Sequence, residues 1–309
     1  MYETSSISNS SPYGVVDLTG LTKMDRTIVI LAGGTSSRMK KSVDAHLDAT
    51  LAADAKTKSK AMLGVGESGR PFLDYLLHNV EKAGYENVLM VVGEKDNSIR
   101  QYYEQDGGSK HFPHLKISFV AQRIPDGRKK PLGTADALLQ ALQAMPSWKG
   151  QHLTVCNSDN LYSQTALRLL LEDKHENAMI DYDRDALQCS HERVSQFAVI
   201  MKDSNGFLAD IIEKPSREDV EQAKDSRGRI GVSMNIWRFS YNSILPYLEA
   251  VPLHPVRQEK ELPVAVKMMV AKNPRSLLTM PLSEHVVDLT SQADIPIVQE
   301  FLRKEYPNF

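Results

Sequence analysis

No run of about 18 apolar residues occurs in this 309-residue sequence, so no transmembrane helix is expected. The N-terminus lacks a basic region followed by an apolar core, and no signal peptide is expected. Cysteine is scarce. Cys156 and Cys189 have no disulfide or metal spacing, which points to a reducing, cytoplasmic setting. Cys156 lies in an apolar run and reads as a small core residue. An excess of either charge is also missing. Lys and Arg number 37 against 39 Asp and Glu, so there is no overall basic field for nucleic acid. The glycine loop at residues 33–38 is neither Gly-x-Gly-x-x-Gly nor a Walker A, so it licenses neither a dinucleotide site nor a P-loop. No repeat of 20–50 residues is detectable, so a solenoid is not expected.

What is present is ordinary globular composition, 41% hydrophobic and 25% charged, in a length that suits one large α/β domain or two smaller ones. The most informative stretch is Thr27-Ile-Val-Ile-Leu-Ala-Gly-Gly-Thr-Ser-Ser-Arg-Met39. Its first six residues read as a buried strand. Gly33 and Gly34 then let backbone N–H groups approach a ligand closely, forming a concave anion site. Arg38 follows with a planar fork suited to phosphate oxygens. Two readings stand at this point: a triphosphate cradle, or a tight turn with a surface arginine.

Residues 1–25 are rich in Ser, Thr, Asn and Gly and are expected to be a loose tail, docked if at all through Val15, Val16 and Leu18. Residues 26–309 form the expected folded domain, with halves near 26–175 and 176–309. Val43, Leu47 and Leu51 are spaced for a short amphipathic helix in an insertion at 40–59, either a lid or a plain surface insertion. A helix is predicted over 71–83, ended by Gly84. Strands near 88–92, 116–121 and 151–156 alternate with helices near 98–105, 134–145 and 163–173, with Thr134 as a candidate N-cap. That alternation predicts a mostly parallel sheet with helices on both faces, and ligands at the strands' carboxyl ends. The glycine loop, Gln122, Gly133 and Asp159 all follow strand ends. Further strands are predicted at 178–182, 196–201, 208–213 and 231–239, extending a mixed sheet. Helices are expected near 241–250, 261–270 and 291–304, and last strands at 276–280 and 285–289.

Asp159, just past a strand in Asn157-Ser-Asp-Asn160, suits a hard cation such as Mg²⁺ or else a cap. Asp288 ends His285-Val-Val-Asp288 and reads as a second ligand or an N-cap. Lys214, in Glu213-Lys-Pro215, is either part of a turn or a phosphate holder, and Lys60 is either solvated or a phosphate-binding point charge.

Together these segments resemble the sugar-phosphate nucleotidyltransferases, such as the glucose-1-phosphate thymidylyltransferases. Leu31-Ala-Gly-Gly-Thr-Ser-Ser-Arg38 is similar to that family's Leu-Ala-Gly-Gly-x-Gly-x-Arg, with Ser36 in a form similar to the molybdenum-cofactor nucleotidyltransferases. Ser59-Lys-Ala-Met-Leu-Gly-Val65, Gln122 with Pro131-Leu-Gly-Thr-Ala-Asp-Ala-Leu138, Ser158-Asp-Asn160, Glu213-Lys-Pro215, Asn235-Ile-Trp237 and Val287-Asp-Leu-Thr-Ser-Gln-Ala-Asp294 resemble its later motifs in order. The resemblance spans about residues 27–305. It implies a Rossmann-like α/β/α nucleotidyltransferase fold, of the kind shared with GT-A glycosyltransferases. It also implies a nucleoside triphosphate and a sugar-1-phosphate as substrates, Mg²⁺, and a homo-oligomer. Leu31, Ala32, Gly33, Gly34, Gln122, Gly133 and Thr134 would hold the nucleotide. Arg38, Lys60 and Asp159 would be catalytic, Asp159 and Asp288 would ligate the metal, and Glu213, Lys214 and Asn235 would hold the sugar phosphate. No hexapeptide-repeat tail follows, so no appended acetyltransferase domain is expected.

The sequence departs from that pattern around the phosphate and sugar pockets. About twenty residues separate Arg38 from Lys60; Ser59 and Gly64 stand where the family has proline, and Thr290-Ser291 where it has Gly-Thr. Two other readings remain: a glycosyltransferase using Asp181-Tyr-Asp183 as its metal pair, and a nucleotide-binding protein without turnover. The base, the sugar and the oligomer are not readable.

Overall fold

Thr27–Ala32, β1, is buried along its whole length, as its unbroken apolar run requires of a strand covered on both faces. In this computed structural model residues 26–41, 47–189 and 191–309 are described. The expected tail and Val43 lie outside them. β1 pairs in parallel with β2 (Asn87–Gly93) and with β4 (His152–Asn157), and β2 pairs in parallel with β3 (Lys116–Gln122). After the short β5 (Asn160–Leu161) come β6 (Asn177–Asp183), β7 (Val199–Lys202), β8 (Leu208–Ile212), β9 (Gly231–Val232), β10 (Ile236–Ser240), β11 (Leu278–Leu282) and β12 (Val287–Asp288). The described strands form a ten-stranded sheet in the order β3-β2-β1-β4-β10-β6-β9-β7-β8, with β11 parallel to β6, and a separate β12–β5 pair. β10 runs antiparallel to both β4 and β6, so the sheet turns mixed at the midpoint of the chain.

Alternate residues of β1 feed two cores. Ile28 and Ile30 pack on one face with Leu76 and Val80 of the helix Phe72–Ala83, Leu167 and Leu170 of Gln164–Glu172, and Val298 of Ile295–Glu305. Val29 and Leu31 pack on the other with Leu138 of Thr134–Ala144, Ile244 of Tyr241–Ala250 and Val266 of Leu262–Lys272. This period-two division makes a three-layer sandwich. Gly84 ends Phe72–Ala83 at φ 100°, the left-handed cap expected of glycine.

Several local expectations change. The strand predicted over 231–239 is two strands, because Asn235 turns left-handed at φ 56° between β9 and β10. Asparagine tolerates that region better than most side chains. The insertion carries two helices, Ser37–Lys41 and Ala49–Thr57; Asp48 caps the second, and Leu47 and Leu51 pack on the core. Thr134 is the first helical residue rather than the cap. Gly133 holds the cap position, and the Thr134 hydroxyl accepts from the Leu262 N–H (3.0 Å).

Asp181, half of the candidate glycosyltransferase pair, is buried between Lys202 (2.6 Å) and Arg229 (2.8 Å). Its carboxylate is spent on these ion pairs near the end of β6. Removing one member of such a buried cluster leaves charge uncompensated. Asp181→Asn is expected to cost about 3–5 kcal/mol of unfolding free energy in urea. An unshifted midpoint would show that the cluster contributes nothing.

Candidate functional site

The carboxyl ends of β1, β3 and β4 open onto a cavity of about 630 Å³. The Gly33-Gly34 loop leaves β1, Gln122 ends β3, and Ser158 and Asp159 leave β4, with the Ser158 N–H donating back to the Leu31 carbonyl (3.2 Å). Gly133, Thr134, Glu213, Lys214 and Asn235 close the other side. Leu31, Ala32, Arg38 and Lys60 line the cavity as well. The sequence-predicted residues therefore come together, with one exception. Asp288 does not line the cavity; it stands behind Asp159, where β12 pairs with β5 and the Leu289 N–H donates to the Asp159 carbonyl (2.8 Å).

Polar contacts define the floor. The Lys60 ammonium donates to the Asp159 carboxylate, and both side chains are 17% exposed. The Lys60 backbone N–H donates to the Ser36 hydroxyl (3.2 Å), tying the glycine loop to the lysine across the insertion. Ser36 sits at φ 52°, where glycine is unstrained; this is why glycine at this place in the resembling motif is replaced at a conformational cost. Lys214 (φ 50°) and Asn235 (φ 56°) also line the cavity in left-handed backbone. Such strain gathers where surrounding structure holds it for a purpose.

Asp288 accepts from Arg193 (2.7 Å) and from the Thr290 hydroxyl (2.7 Å). Burial pushes its carboxyl up and the Asp159 charge adds to that, against Arg193 and Thr290. Neither aspartate is a helix cap: Ser291 and Asp294 form the capping box that follows. No group of three or more His, Cys, Asp or Glu suited to a metal exists among the described residues. Asp159 and Asp288 supply oxygen donors alone, and an ion needing one or two carboxylates plus phosphate oxygens fits that set.

Three residues here had no assigned role in the sequence reading. Arg257 bonds both Glu213 (2.9 Å) and Glu261 (2.8 Å) in the cavity wall. Burial raises the Glu261 carboxyl, against the Arg257 charge. Arg193 clamps Asp288 and Asp294. Asp136 receives the Gln122 side-chain amide (2.9 Å). Arg193 and Arg257 lie outside any motif, so only tertiary contact reveals them; Asp136 lay inside a recognised motif with no signal separating it from its neighbours.

The nucleotidyl transferase family model matches residues 27–272. The chain belongs to the nucleotidyl transferase family. It is 26% identical over 188 residues to glucose-1-phosphate adenylyltransferase 1 of Vibrio cholerae, covering 61% of this chain and 43% of that one. It is 24% identical over 247 residues to the bifunctional protein GlmU of Staphylococcus epidermidis, covering 80% and 46%. The chain thus spans less than half the length of these relatives. Among solved structures, a UDP-glucose pyrophosphorylase complexed with UDP-glucose aligns at a TM-score of 0.65 with 16% identity, covering 90% of this chain and 98% of that one. A UDP-glucose pyrophosphorylase from Acinetobacter baumanii aligns at 0.64 with 16% identity, covering 91% and 94%. These likenesses carry the expected fold, a Rossmann-like mixed sheet of the nucleotidyl transferase type.

Gly133 is the tightest backbone point of the cavity wall. At φ 104°, a Cβ there would lie 2.6 Å from the Lys260 carbonyl oxygen. Gly133→Ala is expected to lower unfolding free energy by about 1–3 kcal/mol, the scale of one strained backbone position, as read by chemical denaturation. Wild-type stability in that variant would mean that the loop relaxes freely.

Proposed function

We propose that this protein transfers a nucleoside monophosphate from a nucleoside triphosphate to a sugar-1-phosphate, releasing pyrophosphate. The observation that carries the reading is the joining, in one cavity, of the Gly33-Gly34 loop, Arg38 and the Lys60–Asp159 pair across from Glu213, Lys214 and Asn235. Family membership supports the reaction class.

A sugar-phosphate oxygen attacks the α-phosphorus in line, that bond forms, and the bond to the pyrophosphate oxygen breaks. Phosphoryl transfer of this kind asks the protein for alignment and charge neutralisation. The Gly33 and Gly34 backbone N–H groups, with Leu31 and Ala32 beside them, hold the triphosphate. Arg38 and the Lys60 ammonium offset negative charge as it builds on the phosphates. Gln122, Gly133 and Thr134 face the base and sugar of the nucleotide, and Glu213, Lys214 and Asn235 hold the acceptor, with Arg257 as a further cation beside them. Asp159 and Asp288 would hold Mg²⁺, which supplies further charge neutralisation at the phosphates.

The protein is read as acting in a reducing, aqueous compartment. Cys156 and Cys189 are both free, and no helix among the described residues is long and apolar enough to cross a membrane. Assembly as a homo-oligomer and the division into nucleotide and sugar-phosphate halves remain part of the same reading.

A pyrophosphate-release screen with the common nucleoside triphosphates and sugar-1-phosphates tests it. Release should require an acceptor, stop with EDTA and return with Mg²⁺. Asp159→Asn should lower turnover about 10²-fold or more, the usual loss for one electrostatic stabiliser. Nucleotide binding without turnover under all pairings, or unaltered turnover in that variant, would sink the proposal or remove Asp159 from it.

A further inference from the structure

Between the helices Tyr241–Ala250 and Leu262–Lys272 the chain makes a tight turn at 254–259, built around His254. The His254 N–H donates to the Glu259 carbonyl (2.8 Å), and the His254 carbonyl accepts from the Gln258 N–H (2.8 Å). The ring adds two more bonds: its Nδ1 accepts from the backbone N–H groups of Val256 (3.2 Å) and Arg257 (3.1 Å). A backbone N–H only donates, so Nδ1 is an acceptor and the ring proton sits on Nε2. Gln258 is left-handed at φ 55°, and its carbonyl accepts from Arg128 (2.6 Å), which fastens the turn to the loop between Gln122 and Gly133. Arg257 lines the cavity from this turn. Its side chain is 44% exposed and meets Glu213 and Glu261, and exposed ion pairs hold a side chain weakly. The firm hold on Arg257 is therefore at its backbone, through His254.

We propose that His254 is a positioning residue, whose Nδ1 holds the turn that presents Arg257 to the acceptor's phosphate and does so without adding negative charge. That role rests on the nucleotidyl-transfer reading, in which the acceptor brings a phosphate to this wall. Elsewhere in the chain a carboxylate makes the same pattern: Asp48 accepts from the N–H groups of Thr50 (2.8 Å) and Leu51 (3.4 Å), two and three residues on. A carboxylate at position 254 would be a further anion among Glu213, Glu259 and Glu261, all of which already act on Arg257. Glu261 is also near enough to feel a charge on His254. An added carboxylate would bind the guanidinium more tightly and repel an incoming phosphate. The imidazole supplies the lone pair alone. Without it the Val256 and Arg257 N–H groups lose their partner, the turn loosens, and the acceptor must pay to order Arg257 when it binds.

The test compares wild type with His254→Ala, His254→Asn and His254→Asp in the full chain. It reads kcat and acceptor KM by pyrophosphate release, and calorimetric binding of the common sugar-1-phosphates and nucleoside triphosphates. His254→Ala should raise acceptor KM and the sugar-1-phosphate Kd about fivefold or more, the scale of a lost hydrogen bond. Its kcat and triphosphate binding should stay within about twofold of wild type, the mark of lost uniform binding. His254→Asn should keep wild-type values, because its side-chain oxygen accepts the same two N–H groups. His254→Asp should fold yet raise acceptor KM as the alanine variant does. A purely structural role would move both substrates together and would not separate asparagine from aspartate. Should the alanine variant not fold, that contrast still decides. An unchanged acceptor KM in a folded His254→Ala, failure of His254→Asn to match wild type, or equal acceptor KM in the asparagine and aspartate variants overturns the proposal and leaves the transfer reaction standing. Binding of a sugar-1-phosphate that follows this variant order without any turnover defeats the reaction assigned above and supports the role of His254. Failure of wild type to bind or turn over any sugar-1-phosphate defeats both.

Discussion

The Lys60 ammonium resting on the Asp159 carboxylate is the contact on which the cavity turns. Asp159 leaves the central β4, and Lys60 arrives from the far end of the insertion, so one ion pair joins the sheet to the segment most foreign to it. The Ser36 hydroxyl fastens the same lysine to the glycine loop through its backbone N–H. A cation already set on the acidic end of a strand is a preorganised electrostatic arrangement, one that needs no reorganisation of water or side chains to act.

The remaining groups divide by how firmly the protein holds them. Gln122 and Asp136 are almost fully buried, and both N–H groups of the Gln122 amide are consumed internally. Breaking such a contact leaves a buried polar group unpaired, at about 1–3 kcal/mol. Arg257 and Glu213, by contrast, are 44% and 39% exposed, where an ion pair contributes about 0–1 kcal/mol. A phosphate arriving at Arg257 therefore displaces little. The Gln122 side of the cavity is rigid; the Arg257 side is loosely paired and exchangeable.

The fold was legible wherever period and punctuation agreed. The unbroken apolar run of β1, the Gly84 stop and the strand-helix alternation through residue 172 all read directly from the sequence. The converging strand ends were legible too, because the glycine loop, Gln122 and Asp159 each follow a recognisable strand. Legibility failed where one residue's backbone overrode a pattern: Asn235 breaks an apolar stretch that reads as a single strand. It failed also where partners are remote in sequence. Nothing near Asp181 announces Lys202 or Arg229, and nothing near Asp288 announces Arg193. The Asp-Tyr-Asp reading came from a local pattern whose first aspartate is spent on fold stability.

The strain in the cavity wall completes the division between its ends. Ser36 and Lys214 hold left-handed backbone although neither is glycine, each at a cost of order 1–3 kcal/mol. Side chains gained in return differ in kind. Ser36 contributes a hydroxyl that accepts the Lys60 N–H, which a glycine cannot do, so the lost backbone freedom brings the long insertion into register with the loop. Lys214 is exposed, and it projects a cation from a turn locked by Pro215 rather than from a mobile loop. Substituting glycine at Ser36 would relieve the backbone yet untie the lysine segment, and the opposite signs of those effects explain how a non-glycine residue is sustained at a place that favours glycine.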